Sequence, residues 1–211
     1  MSYYPIFLSV SGRRCVVVGG GQVALRKVTA LIEREADVVV ISPDFCSELN
    51  ELAIDGKITV IRRHYQPDDL HEVFLAITTT DNSDINSEVA KEGQKRGVLV
   101  NIVDNAEESD FILPSSLRRG GVTIAISTSG MSPALARKIR TKLERDFGNE
   151  YESLALLTEE VRAEIRKQDI KVSGDEWQKA LDLDLMIDLI KKGDKERAKA
   201  VLLDNLKELQ K

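Results

Sequence analysis

Three small residues follow the first strongly apolar run of the sequence, at a spacing suited to binding a phosphate-containing cofactor. Gly19, Gly21 and Ala24 come directly after residues 15–18, a Cys-Val-Val-Val run typical of a strand buried on both faces. At this spacing the first glycine permits a tight turn, the second lets a pyrophosphate approach the backbone, and the alanine lets the following helix pack closely. The free N–H groups at the start of that helix provide an anion site. A purely structural glycine turn is the alternative interpretation.

Carboxylates are crowded into one short segment, at Asp104, Glu107, Glu108 and Asp110. Crowded carboxylates disfavour each other's ionisation, which can tune one of them as a proton acceptor. Asp104 comes shortly after the predicted end of a strand at Asn101, so we expect it to face a ligand. We interpret the other three as solvated loop charges.

A basic stretch follows directly. Residues 111–143 contain no Asp or Glu, although acidic residues outnumber basic ones in the whole chain by 35 to 30. Clustered positive charge attracts small polyanions, and arginine pairs well with carboxylates. The stretch therefore predicts a site for a small polyanion, with a solvated helix face as the alternative. Its basic residues are Arg118, Arg119, Arg137, Lys138, Arg140 and Lys142.

The choice of dinucleotide rests on the residues after the second predicted strand, 37–41. An acidic residue about 20 positions beyond the glycines usually binds the ribose hydroxyls. Here Asp44 comes slightly late, and it fits a turn beside Pro43 equally well. Because positions 42–50 contain no Lys or Arg to pair with a 2′-phosphate, we expect NAD rather than NADP.

Composition excludes several classes of protein. A net charge of -5 argues against a nucleic-acid binder, which needs excess positive charge. No segment has the length of a membrane span or the pattern of a signal peptide, so we expect a cytoplasmic protein. Cys15 and Cys46 form no ligand cluster, and His64 and His71 lack further ligands at a suitable spacing, so no metal site is predicted.

Strands and helices alternate in the first half of the chain. The pattern predicts strands at 15–18, 37–41, 58–61, 73–78 and 97–100, with helices at 23–34, 49–53 and 84–95. This alternation indicates an α/β protein with a doubly wound parallel sheet. Ligands of such sheets bind at the carboxyl ends of the strands, where Gly19, Ser42, Thr79 and Asn101 fall.

Helices dominate the second half. A strand at 122–127 precedes a helix, for which Ser132 suits the N-cap and Pro133 the first position. Three further amphipathic faces must pack on each other, on the sheet or on a second subunit. These faces are Leu154, Leu157, Val161 and Ile165; Trp177, Leu181, Leu185 and Leu189; and Leu202, Leu206 and Leu209.

Several motifs occur together and in the order found in one known family. They are Pro5-Ile6-Phe7, the glycine turn with Arg26-Lys27, and residues 76–81, 101–104, 111–114 and 127–133. Over about residues 1–145 the chain resembles precorrin-2 dehydrogenase, the dehydrogenase and ferrochelatase part of siroheme synthase, a combination far more specific than the glycine turn alone. The remaining helices resemble the dimerisation region of the family only in character.

The resemblance implies NAD-dependent oxidation of precorrin-2 to sirohydrochlorin. It identifies Asp104 with the essential aspartate of the family, which takes a proton as a hydride leaves for the nicotinamide. Thr128 stands where the family often has a phosphorylatable serine, so control by phosphorylation is not expected there. The implied cofactor-binding residues are Gly19, Gly21, Gln22, Val23, Pro43, Asp44, Thr79 and Thr80. The candidate substrate-binding residues are Asn101, Arg118, Arg119, Ser129, Ser132 and Arg137.

We expect three parts: an NAD-binding Rossmann domain over 1–112, an α+β dimerisation and substrate segment over 113–147, and a helical domain over 148–211. The expected assembly is a homodimer of the stand-alone form, since no methyltransferase domain follows. A separate methyltransferase acting before it and a separate chelatase acting after it are candidate partners.

Three other functions stay open at this point. The first is a bifunctional enzyme that also inserts Fe²⁺ or Co²⁺ into sirohydrochlorin. The second, of a different class, is a regulatory dimer that senses NAD(H) without turnover. The third is a dehydrogenase of some other polycarboxylate, which composition alone permits.

Overall fold

Short valine-rich runs form a parallel five-stranded sheet in the first half of the protein. In the computed structural model, which describes residues 3–210, the order of strands is β3-β2-β1-β4-β5 and every neighbouring pair is parallel. The predicted doubly wound α/β sheet is confirmed. The strands are β1 (Arg14–Val18), β2 (Asp37–Ile41), β3 (Thr59–Ile61), β4 (Leu75–Thr78) and β5 (Leu99–Ile102).

Helices cover both faces of the sheet because alternate residues of its central strands point to opposite sides. Cys15 and Val17 pack in one core with the first helix, whereas Val16 and Val18 pack in a second core with the third helix. A 3-10 helix at Pro67–Leu70 contributes Leu70 to this second core. The helices are α1 (Gln22–Ile32), α2 (Ser47–Ile54) and α3 (Ser83–Arg96).

The fifth strand is shifted from its predicted position. Gly97 adopts a left-handed φ of 69° and ends α3, so it cannot begin a strand. The strand instead starts at Leu99 and continues through Asn101 to Ile102. The fourth strand likewise begins at Leu75 rather than at residue 73.

A second unit of the chain begins at Pro114, after a first unit that ends at Leu113. It opens with an antiparallel hairpin of β6 (Ser115–Arg119) and β7 (Val122–Ile126). The sequence analysis missed β6, because Ser115, Arg118 and Arg119 give it no apolar alternation. The helices that follow are α4 (Pro133–Asp146), α5 (Glu150–Lys167), α6 (Gly174–Ala180), α7 (Leu183–Lys191) and α8 (Lys195–Glu208).

The helices from α5 onward share one core. The predicted face of α5 is confirmed, since Leu154, Leu157, Val161 and Ile165 are all buried. The prediction of one helix from Trp177 to Leu189 is wrong, because Asp182 caps a new helix by accepting a hydrogen bond from the Leu185 N–H. The buried residues of α7 are therefore Met186, Leu189 and Ile190, and Leu185 is exposed.

Two further findings concern the organisation of the chain. The separation of a helical domain at residue 148 stays a prediction, because the structure divides the chain only into the two units. Over residues 3–210, no helix combines the length and the apolar character needed to cross a membrane.

An ion pair fixes the segment between β3 and β4. The Asp69 side chain is 6% exposed and accepts hydrogen bonds from Arg63 at 2.7 and 2.6 Å and from the Gln66 N–H at 2.8 Å. Burial raises the pKa of the Asp69 carboxyl, but these hydrogen bonds and the charge of Arg63 outweigh burial. The pKa therefore lies below its ordinary value of 3.8.

We predict that Asp69→Asn lowers the free energy of unfolding by about 1–2 kcal/mol near neutral pH, because it removes a charge-assisted pair. The depressed pKa of Asp69 means that its contribution is present above the unfolded pKa and is lost as pH falls through the folded one. Urea unfolding across pH should therefore show the variant and the wild type converging in acid. Asp68→Asn is the control, since Asp68 is 98% exposed. A difference independent of pH would contradict the prediction.

Candidate nucleotide and proton-transfer site

The glycine turn is locked to the neighbouring strands by backbone hydrogen bonds. The Gly19 N–H donates to the Ile41 carbonyl at 2.9 Å, and the Thr79 N–H donates to the Val18 carbonyl at 2.8 Å. Gly19 has a φ of +122°, and a Cβ added there would lie 2.3 Å from Oγ1 of Thr79. The carboxyl ends of β1, β2 and β4 thus meet around this turn, as predicted.

Gly20 is a residue of this turn that the fingerprint spacing does not single out. A Cβ on Gly20 would lie 1.8 Å from the Asp44 carbonyl oxygen, so only glycine fits there. The Cys46 N–H donates to the Gly20 carbonyl at 2.8 Å. These contacts hold the loop between β2 and α2, residues 42–46, directly against the glycine turn.

The start of α1 has room for an anion. A Cβ added at Gly21, the residue before the helix, would meet nothing within 4 Å. No side chain caps this helix and its first turn contains no acidic residue, whereas α3 and α4 are capped by Asn82 and Ser132. The N–H groups at Gln22 and Val23 therefore fit a bound pyrophosphate.

The other predicted cofactor-binding residues surround this turn. Pro43 and Asp44 are exposed in the loop that packs on Gly20. The Thr79 hydroxyl donates to the Val18 carbonyl at 3.1 Å, and the Thr80 hydroxyl accepts from the Asn82 N–H at 3.1 Å. Their nucleotide contacts stay predictions, but the structure brings all of these residues to one edge of the sheet.

Asp104 lies in the tight turn that follows β5. The Asn105 N–H donates to the Ile102 carbonyl at 3.1 Å, and Asp104 is exposed with a left-handed φ of 65°. A left-handed backbone is costly for a residue other than glycine and is often found at functional sites.

The charge of the Asp104 carboxylate affects Lys27 on α1, the helix that follows the glycine turn. Burial and the neighbouring Arg26 lower the pKa of Lys27 on α1, while the charge of Asp104 opposes this shift. Val103 packs in the core on the same face of the sheet as α1. The Asp104 carboxylate therefore lies close enough to Lys27 of α1 to act on its charge, and its role beside the nucleotide stays a prediction.

Asp110 is exposed, as expected of a loop charge, but its side chain also binds the backbone of β5. Its carboxylate accepts from the Val100 N–H at 2.8 Å, and its own N–H donates to the Val100 carbonyl at 2.8 Å. The Ser109 hydroxyl likewise accepts a hydrogen bond from the Ile102 N–H at 2.9 Å. Glu108 accepts from the Ser87 hydroxyl of α3 at 3.1 Å, and Glu107 is exposed.

Asn101 is 8% exposed, and its side-chain amide donates to the Phe111 carbonyl at 2.8 Å. It therefore ties the end of the acidic loop to β5. A contact between Asn101 and a substrate stays a prediction.

The remaining candidates for substrate binding lie in the second unit. Arg118 and Arg119 donate from Nε to the carbonyls of Gly120 and Phe147 at 2.8 and 3.0 Å. Ser132 accepts from the Leu135 N–H at 3.2 Å and so caps α4, as predicted. Ser129 has a left-handed φ of 53°, and Arg137 is exposed on α4. The substrate contacts of all five stay predictions.

Comparison with known families identifies the first unit. Residues 6–115 match the family model described as "Putative NAD(P)-binding". The chain belongs to this family. Residues 119–146 match a second model, "Sirohaem biosynthesis protein central", which confirms the resemblance found in the motifs.

Curated relatives are siroheme synthases that are longer than this chain. The one from Nitrosococcus oceani is 39% identical over 183 residues, covering 86% of this chain and 39% of the relative. The one from Pseudoalteromonas translucida is 38% identical over 168 residues, covering 80% and 36%. The chain thus spans less than half the length of these relatives.

A solved structure matches nearly the whole chain. SirC, precorrin-2 dehydrogenase, superposes with a TM-score of 0.73 at 25% identity, covering 98% of this chain and 100% of the other. The match extends over both units and supports the α/β fold with its helical region.

Within residues 3–210, no group of three or more His, Cys, Asp or Glu residues is arranged to hold a metal ion.

Substitutions at two adjacent glycines separate packing from ligand binding. We predict that Gly20→Ala lowers the free energy of unfolding by about 1–3 kcal/mol, because its Cβ overlaps the Asp44 carbonyl. Gly21→Ala should stay within about 0.5 kcal/mol of the wild type but weaken NAD binding, since its Cβ fills the space left for phosphate. Urea unfolding and calorimetric titration with NAD measure the two effects. Equal stability of both variants would disprove the packing argument.

Proposed function

We propose that the protein oxidises precorrin-2 to sirohydrochlorin with NAD as hydride acceptor. One observation carries the proposal: Asp104, which the resemblance matches to the essential aspartate of the family, lies near Lys27 of α1, the helix whose uncapped N-terminus fits the pyrophosphate. The full-length structural match to a precorrin-2 dehydrogenase supports the same reaction.

The chemistry requires a hydride acceptor and a proton acceptor within reach of the substrate. NAD supplies the hydride acceptor when it is bound. Asp104 removes a proton from the macrocycle, and this exposed carboxylate returns the proton to solvent. Loss of a hydride and a proton accounts for the two hydrogens that the substrate gives up.

The basic residues of the second unit suit the carboxylates of a tetrapyrrole. Arg137, Lys138 and Lys142 are exposed on α4 and form no ion pair within residues 3–210, so their charges are available to a ligand. Arg140 is paired with Glu144 and Arg119 is held by a backbone carbonyl, which makes them less available. The proposed substrate class is therefore a polycarboxylate held mainly by α4.

We predict that Asp104→Asn lowers the rate of NADH formation from precorrin-2 by at least about a hundredfold, because the proton acceptor is lost. NAD binding should be unchanged, since the glycine turn is not altered. The assay is anaerobic and follows the absorbance of NADH, with Glu107→Gln in the same loop as the control for charge.

The same assay separates the alternatives. Wild-type turnover by Asp104→Asn would refute the role of Asp104. Tight binding of NAD by the wild type without any oxidation of precorrin-2 would favour a sensor of NAD(H). A second assay, with sirohydrochlorin and Fe²⁺ or Co²⁺, tests for the additional chelatase activity, which a separate chelatase would otherwise supply.

We also propose that the protein is a cytoplasmic homodimer. An apolar surface at the start of α4 supports the dimer: Met131, Leu135 and Ile139 are 84%, 51% and 37% exposed. Such a surface is typical of a contact with another chain. Both cysteines are unpaired, which suits a reducing compartment. A methyltransferase that makes precorrin-2 would act before this enzyme.

We predict that Leu135→Glu weakens self-association by about tenfold or more, because it puts a charge into the apolar contact. Light scattering coupled to size exclusion, over a range of concentrations, measures the mass in solution. Thr141→Glu, on another side of the same helix, is the control. A monomeric wild type, or equal association of both variants, would refute the proposed surface.

A further inference from the structure

A charged side chain is held beside the first residue of α1. Glu48 lies in the first turn of α2, and its two carboxylate oxygens accept hydrogen bonds from Nε2 of Gln22 at 3.2 and 3.3 Å. Its Oε2 also accepts from the Ser47 hydroxyl at 2.8 Å. Because Gln22 directly follows Gly21, the Glu48 carboxylate is tied to the start of the phosphate-binding helix.

This carboxylate is ionised and open to solvent. Hydrogen bonds from its own backbone N–H, from Ser47 and from Gln22 hold the pKa of Glu48 below its ordinary value of 4.5. The side chain is exposed, so a ligand can reach it. A fixed negative charge therefore stands at this corner of the site at neutral pH.

In a doubly wound sheet, a bound dinucleotide would place its adenosine ribose near this corner. The last residues of β1 and β2, Val18 and Ile41, lie side by side. A dinucleotide whose pyrophosphate rests on the glycine turn places this ribose over the end of the neighbouring strand, β2. The hydrogen bond from Cys46 to Gly20 fixes the segment that leads into α2 against the turn, so the position of Glu48 is set by the same contacts.

We propose that Glu48 makes the site selective for NAD by repelling the 2′-phosphate of NADP. This inference rests on the proposed NAD-dependent function and names a residue that sets its cofactor choice. A carboxylate accepts a hydrogen bond from a ribose hydroxyl, whereas it repels a phosphate in the same place. The Asp44 side chain has no hydrogen-bond or ion-pair partner within residues 3–210. The Glu48 carboxylate, in contrast, is held in position by three hydrogen-bond donors.

One positively charged residue, Arg62, also lies near this edge of the sheet and could attract a 2′-phosphate. Arg62, just after β3, donates to Oδ1 of Asn50 at 2.5 Å and lies over the Phe45 ring at 5.0 Å from its centroid. Arg62 thus contacts the loop and the helix that follow β2, although it lies outside positions 42–50, where the sequence has no Lys or Arg. Its hydrogen bond and ring contact hold this charge at Asn50 and Phe45, so Arg62 is the competing charge that the titration must separate from Glu48.

The test is calorimetric titration of the protein and its variants with NAD and with NADP. The wild type should bind NAD more tightly than NADP by about tenfold or more, and Glu48→Gln should narrow this ratio by about fivefold or more, mainly through tighter binding of NADP. High salt should narrow the ratio in the wild type and leave Glu48→Gln nearly unchanged, because salt screens exposed charges. Glu51→Gln, one turn further along α2, is the matched control and should bind like the wild type.

Each opposing result has a definite meaning. An unchanged ratio in Glu48→Gln, or a change only in Asp44→Asn, would refute the role of Glu48 while leaving the proposed function intact. If the wild type bound NADP more tightly than NAD and Arg62→Ala abolished this preference, Arg62 would be the residue that binds the 2′-phosphate, and the inference would be refuted. Failure to bind either nucleotide would instead refute the proposed function.

Discussion

The close contact between Gly20 and the loop after β2 is the constraint on which the nucleotide site depends. The Asp44 carbonyl occupies the space that a Cβ would need, and the Cys46 N–H closes the contact with a hydrogen bond to the Gly20 carbonyl. The turn after β1 and the loop after β2 therefore behave as one piece of backbone. Asp44 and Glu48 are positioned by this contact, while Gly21 is left open beside it.

The sheet and most of its ligand edge could be predicted because local patterns determine them. Valine-rich runs are typical of parallel strands that are buried on both faces. The residues that follow such strands lie at one edge of the sheet because of its topology alone. The N-cap at Ser132 is equally local, since the serine and the following proline are sufficient to indicate it. The buried face of α5 followed from helical spacing.

What could not be predicted depends on contacts between residues distant in sequence. Glu48 is identified by its hydrogen bonds to Gln22, 26 positions away, and Arg62 approaches the loop after β2 from the neighbouring strand. The break between α6 and α7 arises because Asp182 caps a helix inside an apolar pattern that looks continuous. The hairpin strand β6 carries arginines and serines, so pairing with β7 rather than its own composition makes it a strand.

The segment that carries Asp104 also finishes the sheet. β5 is an outer strand, and its outward N–H groups at Val100 and Ile102 are taken by the side chains of Asp110 and Ser109. The carbonyls of the same two residues accept from the Asp110 and Asn105 N–H groups. With its backbone groups occupied in this way, β5 offers no template on which a strand of another molecule could add, and the protein is protected from edge-to-edge aggregation along that side.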